Sequence, residues 1–561
     1  MGVKWFIKVS ISRGNNMKKI FGLAVVLILL YATLLTAIPT SALSVGPYNS
    51  SDPCIKSISI STTKPLAGST ATYYKAKVNS SLHGLDKGYR DHTMHISIGI
   101  AGVTKFFVYS GESSNKMGYA TKSVLDLVND FEKENPEWMV VTAINGDFFN
   151  KTTGEPEEPM IQNGQTLKAN LLPDSERRGG GLVGTSDKTG KVVYHTIGMA
   201  YKEAGYGTTY LFRGDYQVQI LDSTKQNVTK TYDSFAGKAP TSSTVSFATV
   251  DCAGSFKGLT VYEVELERYR KDTGSKNNAK VINTTCYFAQ GKVTRKLTGT
   301  DSMKPASGKA YIAVTSESQL PELKIGAYVR CQKVLMGEWD NVSNAIGFKQ
   351  QILANGTLMF KNAYGTYHTG DGANQAATAK WTEDTGAYPH CWKARTAIGF
   401  MDDGTPVFMT AEYDKKNVSA TYYELSCQFK ALGCTNAFLL DGGGSSAMVI
   451  RDSSGKLVTV HHAENSNDGE GRSIANIAIM AVKRDGSIAF ETQKATQKKT
   501  EKKTAKKTEK VTDIDENINE METDSASDNG CKGMVAFPAV IATSGLAVVG
   551  LSKKRRGKNK K

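Results

Sequence analysis

The chain has 561 residues, 40% apolar and 22% charged, with a formal net charge of +15. This length and apolar fraction support a sizeable core and exclude a wholly disordered or fibrous chain. The positive excess gathers in the first 20 residues and in 553–561, so the body is only mildly basic and the high pI does not imply a nucleic-acid partner.

In chain order, residues 1–42 read as a secretory signal. Lys18 and Lys19 precede an apolar run from Ile20 through Leu30, and Thr40-Ser41-Ala42 supplies small residues for cleavage. Met17 is the more natural start, and fold reasoning begins near Leu43. Residues 43–91 are expected to form a strand-rich lead-in to a body at 92–485 that reads as one large domain or two interlocked ones. Within it, Thr121–Lys133 places Val124, Leu127, Val128 and Phe131 on one helical face after a Thr or Ser cap. A strand at Met139–Ala143 follows and runs into Asn145-Gly146-Asp147-Phe148-Phe149.

Residues 192–365 alternate apolar and polar positions and are rich in β-branched side chains, so strands dominate there. A second helix at Thr421–Leu432 aligns Tyr422, Leu425, Phe429 and Leu432 and stops at Gly433. The apolar run after it delivers Asp441 into Gly442-Gly443-Gly444-Ser445-Ser446. An apolar run bounded by turn residues fits a buried strand, and consecutive glycines let backbone amides approach a ligand. The two helix-to-strand units are expected to supply two strands of one central sheet converging on a common pocket. The fold class is α+β, a large mixed or antiparallel β-sheet core with few packing helices.

Beyond the body, residues 492–533 lose their apolar content and become a lysine-rich, then acidic, stretch, expected to be a disordered stalk. Residues 534–551 are uncharged and just long enough to span a bilayer as one helix, and 552–561 form a basic cytoplasmic tail. These ends predict a single-pass membrane protein whose catalytic body is extracellular, in the pattern of Gram-positive bacterial surface proteins. None of the eight cysteines forms a CxxC pair, which argues against a cysteine metal site and leaves disulfides open.

Three motifs carry the chemistry: Asn145-Gly-Asp-Phe-Phe149, Ala394-Arg-Thr-Ala-Ile-Gly-Phe400 and Leu440-Asp-Gly-Gly-Gly-Ser445. With Asn344–Gly356 and Gly471–Ile479 beside them, the chain resembles the phosphodiester glycosidase family from about His92 to Val482. It departs from the family pattern at Asp147 and at Phe348, Lys349 and Gln350. The resemblance implies hydrolysis of a sugar-1-phosphodiester, a phosphate-linked glycan.

Residue types argue the same chemistry. Breaking an anomeric carbon–phosphate bond leaves an oxocarbenium-like centre and a phosphate anion that departs readily. Such a reaction needs fixed positive charge more than a strong acid, and arginine grips phosphate oxygens through a planar fork. Arg395 and Arg472 are the candidates. Asp441 is the first choice to attack the anomeric carbon or activate water, with Asp147 or Glu412 as a second carboxyl. Asn145 suits a sugar hydroxyl or N-acetyl group, while Gly442, Gly443 and Gly444 can present amides with help from Ser445 and Ser446. Phe148 and Phe149 are expected chiefly as core, since adjacent strand side chains point to opposite faces.

Other chemistries fit less well. The glycine-serine turn lacks the GxSxG elbow, and His461-His462 reads as a polar pair rather than a base or zinc site. Asp402, Asp403 and Asp414 could hold calcium in a loop, though no EF-hand spacing supports it, and no obligatory cofactor is expected. Two alternative functions stay open: a non-catalytic carbohydrate-binding or adhesive module, and a hydrolase of ordinary glycosidic bonds in exopolysaccharide.

Overall fold

The computed structural model describes residues 55–81, 89–169, 181–196, 212–236, 244–249, 256–271, 287–301, 303–335, 337–359, 393–413, 419–463 and 471–487. All fall within one compact unit, Met1–Thr500. The signal, stalk, membrane-spanning segment and basic tail expected from the sequence lie outside the described residues, as do Cys54, Cys252, Cys286, Cys391, Cys531 and Asp414.

Strands, numbered in chain order, build three open sheets and a barrel. The first sheet runs β1 (Ile55–Pro65), β2 (Thr72–Ser81), β3 (Tyr89–Ile98), β21 (Pro406–Ala411), β20 (Arg395–Met401), β22 (Cys434–Leu439), β18 (Gln350–Ala354) and β19 (Thr357–Leu358). The second runs β24 (Leu457–His462), β23 (Ala447–Arg451), β5 (Trp138–Asn145), β25 (Asn476–Lys483) and β4 (Lys105–Ser110). The third runs β7 (Gln165–Lys168), β6 (Met160–Gln162), β17 (Ala345–Phe348), β8 (Gly181–Thr185) and β9 (Val192–Thr196). The barrel closes through β10 (Phe212–Leu221), β11 (Val228–Ala236), β12 (Thr244–Thr249), β15 (Lys309–Val314), β13 (Thr260–Lys271), β14 (Tyr287–Thr298) and β16 (Tyr328–Leu335). Among the described strands, β11 with β12 is the one parallel pair; the others are antiparallel. The α+β, β-rich class read from the sequence is therefore what the chain adopts.

The first two sheets face each other, and period-2 alternation decides what each side buries. Phe400, Phe408 and Phe438 of the first sheet meet Phe106, Ile144, Met448 and Met480 of the second, with Ile346 and Phe348 of the third sheet completing the cluster. Phe106 sits edge-on to Phe400, ring centroids 5.7 Å apart. Ser97 and Thr142 hydroxyls bond across this interior at 2.6 Å, so neither is left bare. The opposite parity faces outward. Phe107, Tyr109, Ile477 and Ile479 pack under helix α1 (Val124–Glu134), while Met94, Ile96, Ala397 and Met409 pack under helix α2 (Tyr422–Ala431). Four layers result, helix, sheet, sheet and helix.

Both helices start as their sequences suggest. Ser123 caps α1 by accepting from Asp126 N, and Thr421 with Glu424 forms a capping box on α2. Gly433 follows α2 with φ +87°. The expectation of one central sheet needs correction. Strand β5 belongs to the second sheet and β22 to the first, because each helix covers a different outer face and each strand pairs beneath its own helix.

The barrel occupies the strand-rich middle, with Val218, Val264, Ile312 and Val329 in its interior. It docks through charge and amides. Arg270 is fully buried and bonds Glu112 at 2.8 Å, Arg268 pairs with the same carboxylate, and Gln332 accepts from Thr166 N at 3.1 Å. Cys331, Cys427 and Cys434 are buried free thiols.

Candidate active site

The ends of β5 and β22 meet from facing sheets and are stitched together. Asn145, fully buried, donates from Nδ2 to the Asp441 carbonyl at 2.7 Å. Its Oδ1 accepts from Thr396 Oγ1 at 2.7 Å and from Ala447 N at 3.1 Å. Asp441 N in turn donates to the Gly146 carbonyl at 2.9 Å. These bonds fix where Asp441 leaves β22.

The glycine turn after Asp441 has a stated use for two of its three glycines. Gly443 takes φ +62° while its N–H donates to the Ala394 carbonyl at 2.8 Å. Gly444 lies under the Arg472 guanidinium, where a methyl group would come within 2.5 Å of one terminal nitrogen. Arg472 also reaches Ser445 Oγ at 3.5 Å.

A cleft of about 960 Å³ opens over this turn. Lys151, Lys393 and Arg472 bring positive charge to it, Asp441, Glu412 and Glu157 bring carboxyls, and Phe148, Phe149 and Tyr413 bring aromatic surface. Residues 459–463, on and just after β24 at the edge of the second sheet, complete the wall.

Asp441 is 9% exposed, and burial raises its carboxyl to about 6. A Ser445 hydrogen bond, the Gly442 N–H at 2.8 Å and the Arg472 charge oppose that rise, whereas Glu157 adds to it. A carboxyl in this range exchanges protons near neutral pH, as a general base requires. Glu412 is the reverse case. A hydrogen bond from His95 is the main cause of its fall to about 2; burial works against this, and Lys75 assists.

Of the residues singled out from the sequence, the structure brings Asp441, Glu412, Arg472 and Gly442–Gly444 to one cleft. Others stand behind it. Asn145 is spent on the stitch just described rather than presented to a sugar. Asp147 is 2% exposed, accepts from Glu158 N at 2.7 Å, and borders a separate cavity of about 30 Å³ with Lys349. Arg395 is buried, stacked 5.2 Å over the Tyr422 ring beneath Gly442. Ser445 is buried and supports Asp441. Asp402 and Asp403 sit in the β20–β21 turn, where Asp403 accepts from Thr405 N at 2.9 Å, and no cluster of three metal-ligating side chains occurs among the described residues.

Phe148 and Phe149 are half-buried and both line the cleft, and Phe149 also packs against the core under α1, so the expectation of core residues holds in part for Phe149. His461 and His462 also line it. Lys151, Glu157, Lys393 and Tyr413 escaped sequence reasoning. Lys151, Lys393 and Tyr413 lie next to or close beside a recognised motif or candidate, the one signal that could have flagged them, whereas Glu157 carries no such signal.

Residues 269–481 match the family model of the phosphodiester glycosidases. The chain carries a phosphodiester glycosidase domain. The matched span holds Glu412, Asp441 and Arg472, while Asn145, Lys151 and Glu157 precede it. The chain is 34% identical over 103 residues to the SPbeta prophage-derived uncharacterized protein YomE of Bacillus subtilis (strain 168), a stretch covering 18% of this chain and 15% of that protein. It is also similar to the crystal structure of a hypothetical protein from Synechocystis (TM-score 0.38, 12% identity, 74% of this chain and 62% of that one). A further similarity is to the catalytic domain of zebrafish N-acetylglucosamine-1-phosphodiester α-N-acetylglucosaminidase, auto-inhibited by its pro-peptide (TM-score 0.33, 12% identity, 75% and 87%).

Proposed function

We propose that this protein is a hydrolase that cleaves the anomeric carbon–phosphate bond of a sugar-1-phosphodiester within a phosphate-linked glycan. The observation that carries the reading is the pairing in one cleft of a buried carboxyl raised to about 6, Asp441, with the guanidinium of Arg472 folded over the adjacent Gly444. Arg472, helped by Lys393 and Lys151, binds the phosphate oxygens, and Asp441 takes the proton from the attacking water. The departing phosphate needs no proton donor, so the cations supply most of the leaving-group stabilisation.

Sugar release from a panel of sugar-1-phosphodiesters, with Asp441→Asn as control, tests this. The similarity to the zebrafish protein puts N-acetylglucosamine-1-phosphodiesters first in the panel. Turnover by the parent and none by a folded variant supports the assignment. Equal turnover of phosphate-free glycosides would move the substrate to ordinary glycosidic bonds.

The half-buried Phe148 and Phe149 in the cleft favour a second reading, a carbohydrate-binding or adhesive module that stacks sugars without cleaving them. Glycan binding with no turnover on any panel member would favour it. We also propose that the body is displayed outside the cell on a single C-terminal span, a reading supported by the signal-like residues 17–42 and the apolar 534–551 with its basic flank. Protease shaving of intact cells, releasing the body but not the tail, checks that placement.

A further inference from the structure

The second carboxylate of the cleft has surroundings opposite in kind to those of Asp441. Glu412 directly follows β21, and its Oε1 accepts from His95 Nε2 at 2.7 Å and from Lys75 Nζ at 3.2 Å. His95, on β3, is buried, and its Nδ1 lies 2.8 Å from the Tyr73 hydroxyl on β2. Three neighbouring strands of one sheet thus direct a single chain of hydrogen bonds at one carboxylate.

The direction of that chain follows from donor chemistry. Ionised Glu412 can only accept, so His95 Nε2 carries a proton. Burial and, secondarily, the Glu412 charge raise the Tyr73 pKa, so its hydroxyl stays protonated where it hydrogen-bonds His95 Nδ1. The His461 ring of β24 stacks on His95, centroids 4.9 Å apart and planes 9° from parallel, and bonds Thr410 Oγ1 at 2.8 Å. Burial lowers His461 to about 3, so it packs against His95 as a neutral ring. Glu412 itself keeps 36% of its side chain exposed on the cleft, and its Oε2 takes no hydrogen bond from a described residue.

We propose that Glu412 is the carboxylate facing the positive charge that develops at the anomeric carbon, and that Tyr73 and His95 are positioning residues that aim it. The proposal rests on the hydrolytic reading above. When two carboxyls in one site are pushed apart in acidity, their roles divide accordingly. Asp441 moves the proton and Glu412 stays an anion. In the step itself, the bond from the anomeric carbon to the phosphate oxygen breaks with its electron pair leaving on phosphate. The water oxygen bonds to that carbon, and the water proton goes to Asp441. Glu412 forms no bond; its charge offsets the oxocarbenium.

The test uses the purified full chain, with hydrolysis of a sugar-1-phosphodiester and binding of a cationic iminosugar, its neutral lactam counterpart and inorganic phosphate. Glu412→Gln is expected to lower kcat about 100-fold with little change in KM, by analogy with loss of one preorganised electrostatic group. It should weaken the iminosugar about tenfold more than the lactam and leave phosphate binding unchanged. Tyr73→Phe removes one buried hydroxyl and no charge. It should lower kcat several-fold and weaken the iminosugar selectively, and His95→Gln should do so more strongly. A Glu412→Gln enzyme within about threefold of the parent, equal losses of iminosugar and lactam, or a trapped glycosyl ester on Glu412 would each overturn the role assigned to that residue. A parent that hydrolyses no phosphodiester would instead overturn the substrate reading, and the iminosugar-to-lactam ratio in Glu412→Gln would still report on the charge.

Discussion

Asn145 Nδ2 donates a 2.7 Å hydrogen bond to the backbone carbonyl of Asp441, joining the ends of two strands that belong to different, facing sheets. With its oxygen taken by Thr396 and Ala447, one buried amide ties β5 to the exit of β22, to β20 and to the start of β23. Asn145→Ala would leave two donors and a carbonyl unsatisfied in the interior. The expected loss of unfolding free energy is about 3 kcal/mol, read by urea denaturation, because each orphaned buried group costs roughly 1–3 kcal/mol. Hydrolysis should fall as well, since Asp441 loses its anchor.

Asp441→Asn gives a stability signature whose sign follows from the acidity shift. The folded carboxyl sits near 6 against a reference of 3.8, so the folded parent prefers the protonated form and is penalised above pH 6 by on the order of 3 kcal/mol. That penalty fades as pH falls from 6 and is gone below about 4. The amide variant carries no such penalty. Denaturation across pH should show its advantage over the parent largest above pH 6 and vanishing below about 4, with no turnover at any pH.

Arg472→Lys and Arg395→Lys should behave differently although both change only the fork of a cation. Arg472 lines the cleft, so its replacement is expected to raise KM for a phosphodiester about tenfold or more while neutral glycoside binding holds. Arg395 is buried on the Tyr422 ring, so its replacement should lower the melting temperature and reduce both substrates alike. Paired kinetics and thermal melts of the two variants decide this.

Gly444→Ala tests the seat of Arg472. The added methyl would meet the flexible end of that side chain at 2.5 Å, not backbone, so the fold should tolerate it with a stability change under about 1 kcal/mol. The displaced guanidinium should lose phosphate affinity several-fold, seen as competition by inorganic phosphate.

Much of this arrangement was legible in the sequence because periodicity and capping are local signals. Ser123 and Thr421 mark helix starts, Gly433 marks a stop, and the alternation through 192–365 marks strands that prove to include the barrel. Asp441 and Arg472 could be named because each sits in a motif. What escaped was anything set by packing between distant segments. No local pattern states that β5 and β22 lie in separate sheets, nor that Asn145 turns inward to bind Thr396, 251 positions away. The cleft side chains Lys151 and Lys393 are ordinary lysines until the fold brings them together.

The barrel enters and leaves the structure at one place. Strand β9 precedes it and β17 follows it, and these are the two neighbours of β8 in the third sheet. Topologically, the whole barrel is an excursion within one crossover connection, from β9 on one side of β8 to β17 on its other side, and the sheet would pair the same way around a shorter crossover. Its size, sequence and contents are free to diverge between relatives without rewiring the strands that deliver Asp441. The joint at Glu112, Arg268 and Arg270 then becomes the part an exchanged insert must reproduce.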